Sequence, residues 1–240
     1  MSYDDSLNPY ASFGLAAADA GVDERADFIT KTYTHLAGAV GCFAILEYGL
    51  LQLPGVDRFA MAMFSGWNFL IVMAAYMGIS FLAQKWAQSA TSMSTQYLGL
   101  GLYVVAEAVI FLPILYIAST FYENAIATAA IITGVTFIGL TAIVFATRKN
   151  FTFLGPILGV CSMAAMGVII CSMIFGFNMG LVFTGAMIAL MCGYIVYDTS
   201  NVLHNYRIGQ HVAAALALFA SIVTLFWYIL RLVMILNDER

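Results

Sequence analysis

Apolar residues in this chain gather into unbroken runs of about 20 residues, divided by short polar breaks. A run of that length, coiled as a helix, crosses the ~30 Å hydrocarbon core of a bilayer. Seven such runs are predicted as helical spans, at about 31–53, 62–83, 96–119, 124–146, 153–175, 180–202 and 212–236. The breaks are Pro54, Gln84-Lys85, Thr147-Arg148-Lys149 and similar short segments, so spans adjacent in sequence should pack antiparallel. No stretch shows the ~10-residue alternation of a transmembrane barrel.

Composition supports the same class. Of 240 residues 62% are hydrophobic and 9% charged, against about 25% charged in a soluble domain. Too little polar surface exists to cover a water-soluble globule. The chain reads as an all-α polytopic membrane protein in two parts, an acidic cytoplasmic tail at 1–29 and a seven-helix transmembrane domain at 30–240. The tail sets Asp4, Asp5, Asp19, Asp23, Glu24 and Asp27 against Arg25 alone. It lacks the basic and apolar regions of a cleavable signal peptide and is expected to be disordered. Four cysteines, Cys42, Cys161, Cys171 and Cys192, each stand alone in an apolar run and read as small buried side chains.

Lysine and arginine set the orientation. With the N-terminus inside, Arg25, Lys31, Lys85, Arg148, Lys149 and Arg207 fall on the inner side, and Arg58, Arg231 and Arg240 on the outer. The N-in arrangement is favoured. Short loops without a cleavable signal suit a bacterial inner membrane.

Charges inside the spans are the candidates for chemistry, because each is costly in hydrocarbon. Asp198 lies in the inner part of the sixth span, Glu107 near the middle of the third, Glu47 in the outer part of the first and Arg231 toward the outer end of the seventh. Glu47 and Arg231 share a depth and are expected to form a structural ion pair. Asp198 shares its level with Lys85 and His35. Burial disfavours the charged form of an acid, and an acid that switches between charged and neutral can hold a cation, relay a proton or gate a helix. On the seventh span Ala217, Ser221, Thr224, Tyr228 and Arg231 recur at helical steps and make one polar stripe, expected to face the bundle interior. Small residues at four-residue spacing (Gly155 and Gly159; Gly185, Ala189 and Gly193; Ala213 and Ala217) predict close packing centred on spans five to seven.

Several activities fit poorly. A retinal Schiff base needs a lysine in the last span, and the lysines are Lys31, Lys85 and Lys149. Tyr197-Asp198 has no second aspartate in the next span to form a protease dyad. His35, His204 and His211 lie near the inner edge, too shallow for an intramembrane serine protease, and no histidine, cysteine and carboxylate group has the spacing of a zinc site.

Five segments carry a resemblance. Residues 193–198 read GYIVYD, 214–219 read AALALF and 225–231 read LFWYILR; 28–33 read FITKTY and 147–152 read TRKNFT. Together they resemble the Bax-inhibitor/YccA-like (transmembrane Bax inhibitor motif) family over roughly residues 27–236. The resemblance implies six helices around a central seventh, a pH-sensitive Ca²⁺ leak in some members, and roles in stress or cell-death control. Bacterial relatives include a modulator of a membrane protease. In leak-forming members two aspartates of the last two spans share a proton and gate the pore. Asp198 matches the first, whereas Ser221 stands at the second. A hydroxyl hydrogen-bonds a carboxylate but cannot share a proton as a second carboxylate does, which puts the paired-acid gate in question. Arg231 matches a family arginine. The family also places an acid in the second span and a base at its inner end; here that span has no acid, Lys85 approximates the base, and Glu107 is the candidate substitute.

Two functions follow as expectations. The first is a cation leak that transports Ca²⁺ or H⁺, with Asp198, Ser221 and Glu107 as gating residues and Lys85 as an inner-side partner of Asp198. The second is a non-conducting regulator of another membrane protein, such as a membrane protease. Neither needs a cofactor, a catalytic residue or a nucleic acid; the bilayer is the partner common to both.

Overall fold

The apolar runs become helices because a backbone in lipid must satisfy its own N–H and C=O groups. The structure, a computed structural model, describes residues 15–63, 65–89 and 92–238. Eight helices occupy them: α1 (Val22–Leu51), α2 (Val56–Met63), α3 (Gly66–Ala87), α4 (Met93–Phe121), α5 (Ala125–Thr147), α6 (Leu154–Phe175), α7 (Leu181–His204) and α8 (His211–Asp238). All but α2 are long and apolar enough to cross a membrane, and each matches one predicted span.

Two boundaries differ from expectation. Helix α1 begins at Val22 rather than near residue 31, so part of the expected disordered tail is helical. Asp23 and Glu24 in its first turn suit the positive end of the helix dipole. Residues 1–14 of that tail lie outside the described residues. The second difference is α2. Ala62 and Met63, expected to open the second span, belong to this short amphipathic helix, and α3 starts after Ser65.

Helix α8 is the centre of the bundle. It packs against α1, α3, α4, α5 and α7, and 67% of its most apolar stretch is buried, against 6% for α6. Leu218, Phe219, Leu225 and Leu230 are fully enclosed. Phe219 meets Phe43 of α1 and Tyr103 of α4 edge-on, with centroids 6.0 and 6.1 Å apart. Phe111 of α4 meets Trp227 edge-on at 4.9 Å. Such geometry adds to plain area burial.

Burial is therefore deepest along α4 and α8; of the fifth to seventh spans, α7 and α8 do pack extensively on each other, but the fifth, α6, does not share in that centre. The tightest backbone approach is at Gly99 of α4, where a Cβ would stand 2.6 Å from the Ala83 carbonyl oxygen and the Ala87 nitrogen of α3. Gly193 does serve the α6–α7 contact, since a Cβ there would fall 2.8 Å from Leu158, and Gly155 lies against the Tyr197 ring. Gly159 and Gly185 face open space. Helix α6 is peripheral and packs chiefly on α7. The cysteines also differ from expectation: Cys42, Cys161 and Cys171 lie on the outer surface of the bundle, and Cys192 is half-buried.

Candidate functional site: buried acids along the central helix

Asp198 sits on α7 where that helix crosses α8, and it is 8% exposed. Ser221 of α8 donates its hydroxyl to Asp198 Oδ2 at 2.5 Å. Ser221 is equally enclosed, so the pair links two helices inside the bundle. Tyr194, one turn before Asp198, shares its face and is hydrogen-bonded to Ser162 of α6 at 2.9 Å. The acid and the serine line a cavity of about 210 Å³, with Gln84 and Gln88 of α3 and Tyr206 of the α7–α8 loop on its walls.

Lys85 does not line that cavity, contrary to expectation; it is exposed. A helix turns about 100° per residue; the face of α3 turned into the bundle carries Ala83 and Ala87, and the exposed Gln84 and Gln88, four apart, flank the cavity mouth while Lys85 lies off it. The glutamines and both tyrosines were not singled out in the sequence. Their signal was available, since Tyr194 is four residues from Asp198 and the glutamines bracket Lys85.

A strap of chain closes this end. Ala17 N donates to the Tyr206 carbonyl at 2.8 Å, Ile208 N donates to the Leu15 carbonyl at 3.0 Å, and Arg25 donates to the Leu203 carbonyl. Burial pushes the Tyr206 phenol well above the ordinary tyrosine range, and the nearby Asp198 carboxylate adds to the shift. The side chain stays neutral while it walls the cavity.

Glu107 is not brought to Asp198. It is 3% exposed on α4 and accepts a hydrogen bond from the Tyr76 hydroxyl of α3 at 2.7 Å. Both line a second cavity, of about 440 Å³, toward the opposite end of the bundle, with Thr224, Tyr228 and Arg231 of α8. The predicted polar stripe of α8 is thus shared out: Ala217 and Ser221 face the first cavity, and Thr224, Tyr228 and Arg231 the second. Thr224 also satisfies its hydroxyl on the Ala220 carbonyl, a common habit of hydroxyls in apolar helices.

The expected ion pair of Glu47 with Arg231 is absent. Arg231 donates to the Met179 carbonyl before α7. Glu47 is 5% exposed, and neither of its carboxyl oxygens has a hydrogen-bond partner among the described residues. The two residues share a depth but not a side. Glu47 lies on the side of α8 that carries Ile222 and Phe226, and Arg231 on the side that carries Thr224 and Tyr228.

These features define a class: a seven-span helical membrane protein built around its last helix, with acids buried along that helix. The family model described as "Inhibitor of apoptosis-promoting Bax1" matches residues 25–238, and the chain belongs to that family, the transmembrane Bax inhibitor motif proteins. Among similar proteins is mouse "Protein lifeguard 4", 26% identical over 237 residues that cover 98% of this chain and 95% of the relative. Arabidopsis thaliana "Protein LIFEGUARD 4" is 35% identical over 57% of this chain and 56% of its own. Schizosaccharomyces pombe "Bax inhibitor 1" is 31% identical over 51% of this chain and 47% of its own.

Proposed function

We propose that this protein is a pH-sensitive Ca²⁺ leak in which Asp198 is the titrating gate and Ser221 its partner. The observation that carries this reading is the Ser221–Asp198 hydrogen bond, which ties α7 to the central helix at the wall of a cavity. A charged Asp198 accepts from Ser221 and attracts a cation. A protonated Asp198 is itself a donor and has no charge to offer. The change alters both the attraction and the contact between α7 and α8. The second cavity, with Glu107, continues the polar side of α8 toward the other end and supplies the rest of the path.

The same reading puts the N-terminus on the cytoplasmic side, because Arg25, Lys31, Lys85, Arg148, Lys149 and Arg207 gather at the end where α1 starts. A bacterial inner membrane and a role in stress or cell-death control belong to the proposal as well.

The test is Ca²⁺ flux into proteoliposomes between about pH 6 and 8, comparing the natural protein with Asp198→Asn and Ser221→Asp. The leak requires that Asp198→Asn alter the flux and its pH dependence, and that Ser221→Asp steepen that dependence. Flux indifferent to Asp198→Asn overturns it.

One observation favours a second reading. Asp198 is paired with a hydroxyl and not with a second carboxylate. A chain without the paired-acid gate fits a non-conducting regulator of another membrane protein, such as a membrane protease. No flux from the natural protein but flux from Ser221→Asp, together with a partner that co-purifies from native membranes, is the outcome this reading requires.

A further inference from the structure

Helices α1 and α5 both pack on α8 but hardly on one another. Between them lies a cleft of about 830 Å³, floored by Ile222, Val223 and Phe226 of α8. Its volume is that of a small-molecule site, about 300–1,000 Å³. Its walls are largely apolar; Tyr33, Tyr48 and Thr133 bring hydroxyls, and one residue that lines it carries a carboxyl. Glu47 of α1 lines the cleft, and its two buried carboxyl oxygens have no donor among the described residues. A buried carboxyl without a partner is costly. Neither the Asp198 cavity nor the Glu107 cavity includes it.

The side walls are thin where the helices face each other. Gly41 of α1 and Gly134 of α5 both line the cleft, and a Cβ at either would meet nothing within 4 Å. Val40 and Ile138, at its rim, are on the outer surface of the bundle. The cleft therefore opens sideways, toward where acyl chains would lie.

We infer that the α1–α5 cleft binds a long-chain alkylammonium amphiphile from the bilayer, with Glu47 anchoring its head. The shape and apolar walls suit an alkyl chain. The ionised carboxyl offers acceptors only, and an ammonium head both supplies three donors and, by its opposite charge, favours that ionised form, whereas a hydroxyl brings one donor and no charge and a carboxylate brings none. Charge and hydrogen-bond complementarity both point to the amine.

The experiment uses the full chain in phosphatidylcholine nanodiscs and a diazirine-bearing analogue of octadecylamine. Photolabelled residues are mapped by mass spectrometry. The expected labels lie on α1 and α5 around Val40, Gly41, Gly134 and Ile138. Octadecylamine should compete, and octadecanol, octadecane and stearic acid should compete at least about tenfold less well, the weight of about 1.4 kcal/mol. Glu47→Gln should weaken labelling by a similar factor. Gly134→Leu, which places a side chain in open space, should abolish it with the melting temperature unchanged; Gly41→Leu is the second blocking variant if the first misfolds. Labels elsewhere in the bundle overturn the inference. So does cleft labelling that Glu47→Gln leaves unchanged, or that octadecane competes as well as the amine, since the carboxyl would then anchor nothing.

Discussion

The Tyr76 hydroxyl of α3 donates to Glu107 of α4 across the interface between them, at 2.7 Å. The carboxyl is 3% exposed, and this bond, with the Tyr103 hydroxyl as a second hydrogen-bonding neighbour, lets an acid sit in the interior of a span. Removing a donor and leaving a buried acceptor unsatisfied costs about 1–3 kcal/mol. Tyr76→Phe should therefore lower the melting temperature in detergent. Glu107→Leu in the Tyr76→Phe background should recover part of that loss, since the buried acceptor is then gone, and recovery should be fuller when Tyr103→Phe is added. A Tyr76→Phe protein as stable as the natural one would mean the bond contributes nothing.

The α3–α4 contact makes a second prediction. Any side chain at Gly99 drives its Cβ into the backbone of α3 at 2.6 Å, and backbone cannot rotate away as a side chain can. Gly99→Ala should destabilise by about 1–3 kcal/mol, the usual cost of overpacking. Gly159→Ala and Gly185→Ala, in open space, should melt within error of the natural protein or slightly above it. Equal tolerance at all three positions would contradict the packing described for Gly99.

Tyr206 carries the pH prediction. Its folded phenol ionises above the ordinary value because it is buried and Asp198 is near, while the unfolded phenol ionises near about pH 10. The folded state holds the proton more tightly, so the contribution to stability is complete below about pH 10 and is lost as pH rises through the folded value. Melting temperatures taken from about pH 9 to 11 should fall more steeply for the natural protein than for Tyr206→Phe. Parallel curves would place the titrating group elsewhere.

Depth along a span was legible in the sequence, and direction around it was not. The seven spans follow from run length alone, which is why they match the helices so closely. Asp198 stands out as a charge inside an apolar run and Ser221 as one step of the polar stripe on the last span; the family resemblance adds that the two positions belong together, and the structure joins them. Lys85 and the Glu47–Arg231 pair failed for one reason: a residue's level follows from counting at ~1.5 Å per residue, but its azimuth depends on how neighbouring helices turn. Glu47 and Arg231 end on different sides of α8. Gln84, Gln88 and Tyr76 were passed over because uncharged polar residues carry no penalty large enough to stand out in an apolar run.

The order of the helices has a consequence for how the protein is made. Helix α8 organises α1, α3, α4, α5 and α7, yet it follows all of them in the chain. Synthesis runs from the N-terminus, so the earlier spans enter the membrane before their common core exists. Until α8 arrives, Asp198 lacks its Ser221 donor and the faces that enclose Phe219 and Leu225 have only lipid to meet. A ribosome stalled before residue 211 would leave a loose set of spans that a membrane quality-control protease can recognise, and the arrival of one last helix converts that set into a folded bundle.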